Sequence, residues 1–351
     1  MATEESRRQA VVTMDGSQGE GGGQILRTSL ALSMLTGKPF RIVDVRAGRK
    51  RPGLMRQHLT AVEAAAKIAS ATVVGAAIGS TEIVFEPGEV SSGEYHFSIG
   101  TAGSTMLVLQ TILFPLALAR GPSVLLLEGG THNIHAPPLD FIERAFLPVI
   151  NSLGPKITVR AERVGFYPAG GGRVVVEIEP APAIAPLSLL ERGKVQERLV
   201  RGLVAHLPVS IARREVLTFC ELLRWPPQLS TVVEVEESDG PGNILLVEIG
   251  CEHVREVFSR VGQKGVPSEK VAALCAEEVL DYLSREAPVG PHLADQLLLP
   301  MALARAGAIR TGPLTGHSLT QIETIQRFLD VEFEVHDEGA GVHHVQVRPR
   351  R

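Results

Sequence analysis

The sequence predicts an α/β (α+β) fold built from three similar units, with a separate α/β segment inserted before the third unit. Three strongly apolar helices each follow a turn that contains glycine or proline, which indicates that each helix is mostly buried. A second helix follows each of them. Two strands with alternating or β-branched residues then complete each unit.

The elements of the three units can be placed in order along the chain. The first helices are predicted at 23–35, 103–118 and 292–306, and the second helices at 53–68, 138–153 and 317–329. The strand pairs are predicted at 71–88, 155–180 and 331–350, with glycine turns where each hairpin closes. The same order of elements in each unit is typical of an internal structural repeat.

The second and third units are farther apart than the first and second by about 100 residues. The extra residues have their own predicted helices and strands, and they contain Trp225 and all three cysteines. We therefore predict a large domain at 1–184 and 287–351, and an inserted small α/β domain at 185–286.

Composition excludes several classes of protein. The net charge of −4 and the pI of about 6.3 argue against a general nucleic-acid coat. The three cysteines have no C-x-x-C spacing, so neither a disulfide framework nor a zinc site is indicated. No signal peptide or membrane-spanning stretch is predicted, and the expected location is the cytoplasm.

A glycine-rich run at 15–27, DGSQGEGGGQILR, is the first candidate site. It lacks the Gly-Lys-Ser/Thr of a Walker A loop and does not fit G-x-G-x-x-G followed by a ribose-binding acid. Glu20 could hold a divalent cation. Arg27, one turn into the helix that follows, could bind a phosphate through two parallel hydrogen bonds. The alternative interpretation is an ordinary tight turn between a strand and a helix.

A histidine at the start of a predicted helix is the second candidate. His317 follows the turn 312–316, so it is expected to be accessible to a ligand. His292, Asp295 and Gln296 lie in the first turn of the preceding predicted helix. Both sets have a plain alternative interpretation, as polar residues at helix starts with no chemical task.

The sequence has two further features that bear on function, a basic segment and a pair of histidines. Six basic residues within 41–56 stand against the single acid Asp44 and lead into a helix, where anions are favoured. His132 and His135 resemble a metal motif, but no second ligand set accompanies them. We interpret this histidine pair as solvent-facing polar residues.

Together these residues resemble the RNA 3′-terminal phosphate cyclases. The resemblance covers essentially the whole chain and rests on specific motifs: DGSQGEGGGQILR (15–27), RAGRKRPGLMRQHL (46–59), GTAGSTMLVLQT (100–111), GGTHNIHAPPLDF (129–141), GFYPAGGG (165–172), PGN (241–243), HLADQLLLPMALA (292–304) and HSLTQIETIQRFL (317–329). The resemblance implies a large domain of three βαβαββ-type units with a smaller inserted α/β domain, which agrees with the pattern of elements.

The resemblance also implies an activity. That family uses ATP and a divalent cation, Mg or Mn, to convert an RNA 3′-phosphate into a 2′,3′-cyclic phosphate. By resemblance, His317 attacks the α-phosphate of ATP and forms an AMP–histidine intermediate. AMP then passes to the RNA 3′-phosphate, and the neighbouring 2′-hydroxyl closes the ring. The expected partners are ATP and RNA 3′-phosphate ends, without a membrane; homodimerisation stays open.

Site residues follow from the matching motifs. Glu20 is expected to hold the metal, and His317 and Arg27 to act in catalysis. The phosphate or RNA-end site is expected to contain Gln24, Arg46, Arg49, Gln57 and His58. The ATP site is expected to contain Gln110, Pro137, Phe141, His292, Leu293, Ala294, Asp295 and Gln296.

Two other functions are compatible with such a fold. One is a non-catalytic, cyclase-like ribosome-assembly protein, but loss of the nucleophile would be expected there, and His317 and Glu20 are both present. The other is an enolpyruvyl-transferase-like enzyme acting on a small molecule. Such an enzyme would need neither ATP nor a histidine at position 317.

Overall fold

A computed structural model describes residues 10–19 and 22–350 of the chain. It confirms a mixed α/β fold. The first sheet contains four strands in the order β1-β2-β4-β3, with β1 parallel to β2 and the other pairs antiparallel. Its elements are β1 (Val12–Asp15), α1 (Gln24–Thr36), β2 (Phe40–Val43), α2 (Arg56–Ile68), β3 (Thr72–Val74) and β4 (Ile83–Glu86).

The second sheet has the corresponding order β5-β6-β8-β7 and the same pattern of strand directions. Its elements are β5 (Glu94–Ser98), α3 (Thr105–Ala117), β6 (Ser123–Gly129), α4 (Leu139–Phe141), a π-helical segment (Ile142–Phe146), α5 (Leu147–Ser152), β7 (Lys156–Arg163) and β8 (Gly172–Glu179). The helix predicted at 138–153 is therefore interrupted by a π-helical turn.

After β9 (Leu187–Leu189), the chain enters a segment with a sheet of its own, in the order β11-β10-β12-β13. We call the part from β10 to α7 the inserted segment. A separate apolar core, which includes Phe219 and Val247, lies within it. Its elements are β10 (Val195–Ala205), α6 (Ser210–Leu223), a 3-10 turn (Pro227–Leu229), β11 (Ser230–Glu234), β12 (Gly242–Cys251), β13 (Arg255–Val261) and α7 (Ser268–Ser284).

The third sheet is completed after the inserted segment. Its strands are in the order β15-β16-β14-β9, with β14 parallel to β9. The remaining elements are α8 (Pro291–Ala304), β14 (Gly307–Thr311), α9 (Gly316–Phe328), β15 (Val331–Gly339) and β16 (Val342–Pro349). Although β9 falls within the range predicted for the inserted domain, it pairs with this third sheet. The domain limits stay a prediction.

Packing of the helices brings distant parts of the sequence together. Helix α1 packs against both α3 and α9, and α8 packs against α9. One apolar core joins these helices and the three sheets, and Leu26, Ile112, Leu297 and Ile325 all belong to it. The first turns of α1, α8 and α9 consequently meet, and the candidate site lies there.

Candidate active site

A network of polar side chains connects the starts of α1, α8 and α9. The Gln24 amide nitrogen donates hydrogen bonds to Oδ1 of Asp295 and Oε1 of Gln321, both at 3.0 Å. Thr28 donates to the same Gln321 oxygen at 2.9 Å, and the Gln321 amide donates to the backbone carbonyl of Asp295. Nδ1 of His317 lies 2.8 Å from Oε1 of Gln24. The structure thus brings Gln24, Asp295 and His317 together.

The network determines which nitrogen of His317 carries a hydrogen. The amide nitrogen of Gln24 faces two acceptors, so its oxygen must face the imidazole. Because that oxygen can only accept, Nδ1 of a neutral His317 is the donor. The lone pair is then on Nε2. His317 is exposed, and α9 begins with Thr315, whose hydroxyl accepts a hydrogen bond from the Ser318 amide.

Arg27 and His58 lie together on one side of the site, next to the glycine-rich loop. A β-carbon at Gly23 would overlap Nε2 of His58 and lie 2.9 Å from Nη1 of Arg27, so all three residues are close together. Burial lowers the pKa of Arg27 to about 10, against the opposing charge of Asp295. Burial also lowers the pKa of His58, the charges of Arg27 and Arg46 act in the same direction, and together they bring it to about 3. An anion placed here would relieve the crowding of positive charge.

The loop before α2 adds two more arginines. Arg46 has a left-handed backbone with a φ of 57°, and its guanidinium donates to the carbonyls of Arg51 and Gly53. Burial lowers the pKa of Arg46, and the charge of Arg49 contributes. Arg49 extends towards the glycine-rich loop, because a β-carbon at Gly22 would lie 2.9 Å from its Nη2. The basic run thus reaches the predicted phosphate site.

Gln57 and His58 lie in the first turn of α2. The Gln57 side chain accepts a hydrogen bond of 3.0 Å from the Ser104 amide, which fixes α2 to the start of α3. Nδ1 of His58 accepts from the Met55 amide at 3.3 Å. The predicted helix start at residue 53 is shifted to Arg56, because Gly53 adopts a left-handed φ of 78°.

The residues predicted to bind adenosine are divided between α3, α8 and the entry to α4. Gln110 of α3 donates to Gln296, which in turn donates to the Asp295 carboxylate at 3.3 Å. His292 is exposed, whereas Leu293 and Ala294 are buried in the core. Pro137 is half-buried and Phe141 is buried; no hydrogen bond or ring contact described for this structure joins either to the other predicted residues.

Asp295 has a pKa above that of an ordinary aspartate. Burial raises its pKa, and the charge of His317, the hydrogen bond from Gln24 and the charge of Arg27 act in the opposite direction. This carboxylate accepts from two side-chain amides and lies beside the nucleophile candidate. It is therefore suited to hold the Gln24–His317 pair in place.

The proposed metal ligand Glu20 lies outside the described residues. Among the residues that are described, no group of three or more His, Cys, Asp or Glu side chains is arranged to hold a metal ion. Metal binding thus stays a prediction.

No helix in the described ranges is long and apolar enough to cross a membrane.

The interpretation of His132 as a solvent-facing residue was wrong. Its side chain is 2% exposed, its ring lies 5.4 Å from that of Phe166, and its Nε2 lies 2.9 Å from Oδ2 of Asp140. The motif supplies a buried histidine–carboxylate pair, because the chain after β6 turns inward to start α4. His135, by contrast, is exposed as expected.

Sequence reasoning missed two members of the network. Thr28 is one turn after Gln24, and Gln321 is one turn after His317, so each faces the same side as the predicted residue. That spacing is the signal that could have identified them.

The assembled site has a histidine with its lone pair on Nε2, arginines gathered around an anion site, and amide groups that fix the imidazole. Such an arrangement is suited to an enzyme that acts on phosphate groups. Comparison with known proteins is more specific. The family described as RNA 3′-terminal phosphate cyclase matches residues 18–335.

Several relatives agree with this match. A protein of Koribacter versatilis (strain Ellin345) named RNA 3′-terminal phosphate cyclase is 49% identical over 93% of this chain and 92% of its own length. One of Ralstonia nicotianae with the same name is 49% identical over 96% of this chain and 97% of its own. One of Salmonella enteritidis PT4 is 46% identical over 92% and 95%. The chain belongs to the RNA 3′-terminal phosphate cyclase family and is an enzyme.

Proposed function

We propose that the enzyme uses ATP to convert an RNA 3′-phosphate into a 2′,3′-cyclic phosphate, with His317 as the nucleophile. The observation that carries the proposal is the hydrogen bond between Nδ1 of His317 and the Gln24 amide oxygen. This bond keeps the hydrogen on Nδ1 and directs the lone pair of Nε2 to an accessible position at the start of a helix.

The first step forms a phosphorus–nitrogen bond. Nε2 of His317 attacks the α-phosphate of ATP, and the bond from that phosphorus to the bridging oxygen of pyrophosphate breaks. The positive charge that develops on the imidazole is shared with the Gln24 oxygen and compensated by the nearby Asp295 carboxylate. Arg27 and the arginines of the loop before α2 would stabilise the negative phosphate oxygens.

The second and third steps transfer AMP and close the ring. An oxygen of the RNA 3′-phosphate attacks the AMP phosphorus, and the phosphorus–nitrogen bond to His317 breaks. The adjacent 2′-hydroxyl then attacks the 3′-phosphorus, loses its proton, and expels AMP. Because the hydroxyl belongs to the same ribose, its effective concentration is high. Activation is needed because an unmodified phosphate monoester has no good leaving group.

Adenosine is proposed to bind between α3, α8 and the entry to α4. The Gln110–Gln296 pair offers amide groups to the base, and His292 offers an exposed ring on which adenine can stack. A divalent cation, Mg or Mn, with Glu20 as its ligand, is proposed to neutralise phosphate oxygens. Since no series of exposed aromatic residues for reading bases is evident, we propose recognition of the RNA end with little sequence preference.

The experiment is a mass measurement of the intact protein after incubation with ATP and a divalent cation. We expect one acid-labile AMP on the wild-type protein and none on His317→Ala. His336→Ala, an exposed histidine of β15, is the matched control and should keep the adduct. An adduct on His317→Ala would exclude this nucleophile, and no adduct on the wild-type protein would contradict the proposed mechanism.

A further inference from the structure

We propose that the inserted segment positions both walls of the adenosine pocket, through Glu256 on one side and Arg201 on the other. This inference rests on the proposed function, since it assumes that α8 and the entry to α4 enclose ATP. It gives the inserted segment a role in catalysis although none of its residues is placed at the reacting atoms.

Glu256 of β13 holds the start of α8. Its side chain is 2% exposed, and its Oε1 accepts a hydrogen bond of 2.6 Å from the amide of Gly290, the residue directly before the helix. A β-carbon at Gly290 would lie 3.2 Å from the Glu256 carboxyl carbon, so the close approach favours glycine there. His292, Asp295 and Gln296 follow within two turns. The inserted segment thus fixes the first amide of the helix that presents them.

Glu256 suits this role in its neutral form. Burial raises its pKa to about 8, against the hydrogen bond from Gly290. At neutral pH the carboxyl group is mostly protonated, so one oxygen accepts from Gly290 without placing a full charge in the core. The chain between α7 and α8 is also held at a second point, where the Tyr282 hydroxyl donates to the Pro288 carbonyl at 3.0 Å.

Arg201 of β10 holds the other wall. Its Nη2 donates to Oδ1 of Asp140 at 2.6 Å and to Oε1 of Glu248 at 2.7 Å. Asp140 lies between Pro137 and Phe141, the residues expected at the adenosine. Burial opposes ionisation of Asp140, but its bonds to His132 and Arg201 outweigh this and lower its pKa to about 2.

The contacts that hold the two walls involve adjacent residues of β13, Arg255 and Glu256. Glu256 contacts the start of α8, and its neighbour Arg255 donates to Oε2 of Glu248, the carboxylate that Arg201 also binds. The π-helical segment after Phe141 packs against both β13 and α8. A shift of the inserted sheet would therefore move both walls, and a fixed sheet keeps them at one separation.

The consequence is a specific effect on ATP. If the hydrogen bond that holds one wall is lost, the adenosine pocket is in its binding conformation for only part of the time. The apparent affinity for ATP then falls in proportion to that fraction. The reaction of bound ATP at His317 should change less than ATP binding, because no hydrogen bond described for Glu256 or Arg201 reaches Gln24 or His317. We expect KM for ATP to rise about tenfold in each variant that lacks the attachment, at a nearly constant maximal rate.

The test compares two variants, Glu256→Met and Arg201→Met, with matched controls in the same segment. Glu278→Met removes a carboxylate that pairs with Arg260, and Arg198→Met removes an arginine of the same strand that lies over the Trp225 ring. Glu256→Gln keeps an acceptor for Gly290 and should behave as the wild-type enzyme. KM and maximal rate of AMP transfer are measured, together with the thermal midpoint of each protein.

A second readout needs no nucleotide. Hydrogen–deuterium exchange at the amides of Gly290 and residues 292–296 should accelerate in Glu256→Met and stay unchanged in Glu278→Met and Glu256→Gln. Unchanged KM in both methionine variants, or a change equal to that in their controls, would overturn the positioning role alone. A fall in maximal rate at constant KM would overturn it too. Absence of an AMP adduct on the wild-type enzyme would overturn the proposed function and the pocket together.

Discussion

Replacing Gln24 by methionine tests the part of the site on which the proposed chemistry depends most. Methionine has a similar length but neither accepts from His317 nor donates to Asp295. The imidazole would lose the only acceptor described for Nδ1 and could rotate or exchange its hydrogen between the two nitrogens. The protein should still fold, because Asp295 keeps the Gln296 amide and Gln321 keeps the Thr28 hydroxyl.

The size of the effect follows from two hydrogen bonds. One joins Gln24 to the nucleophile at 2.8 Å, and the other joins it to the neighbouring carboxylate at 3.0 Å. At about 1 kcal/mol net for each, their loss corresponds to about 2 kcal/mol. We therefore expect the rate of AMP transfer to His317 to fall about thirtyfold.

The assay is single-turnover formation of the AMP adduct at saturating ATP. Gln326→Met is the control, because Gln326 lies on the same helix as His317 and loses one amide hydrogen bond, to the Val331 carbonyl, without contacting the site. It should react at the wild-type rate. A Gln24→Met enzyme that is labelled as fast as this control would refute the role of Gln24 in orienting the imidazole.

Three further predictions concern the charged groups. Arg27→Lys should slow AMP transfer about tenfold, because an ammonium group cannot form the two parallel hydrogen bonds that a guanidinium makes to phosphate; a single-turnover rate equal to that of the wild-type enzyme would remove Arg27 from the site. His58, with a folded pKa of about 3, takes up its proton on unfolding, so its contribution destabilises the fold as the pH falls below about 6.5. Between pH 7 and pH 5 the wild-type protein should lose about 2 kcal/mol more unfolding free energy than His58→Gln, as measured in urea; parallel losses would contradict this. Removal of divalent cations should stop AMP transfer, and full labelling in excess chelator would contradict a metal held by Glu20.

Much of the fold could be predicted from local sequence patterns. Apolar runs bounded by glycine or proline gave α1, α3 and α8 to within about two residues, since such runs reflect burial on one side of a helix. The π-helical turn at Ile142–Phe146 could not be predicted, because no local sequence pattern marks it; in the structure it lies against α8 and β13.

The sequence indicated candidate site residues, but it did not indicate how they are connected. Gln24 and His317 are 293 residues apart, and no local pattern indicates that one orients the other. His132 was misjudged for a similar reason, because its partner Asp140 is supplied by a turn of the chain that only the tertiary structure defines. Glu256 and Arg201 are in the inserted segment and lie outside the motifs that carry the family resemblance.

The contact between α1 and α9 also has a consequence for the synthesis of the protein. In the proposed mechanism, the nucleophile His317 and the Gln24 amide that orients it are 293 residues apart, so a nascent polypeptide cannot form this pair until α9 has left the ribosome. Contacts of such long sequence separation form slowly, because a large loop must close before they are gained. Under the proposed mechanism, fragments that end before α9 should therefore form no AMP adduct, because they lack His317.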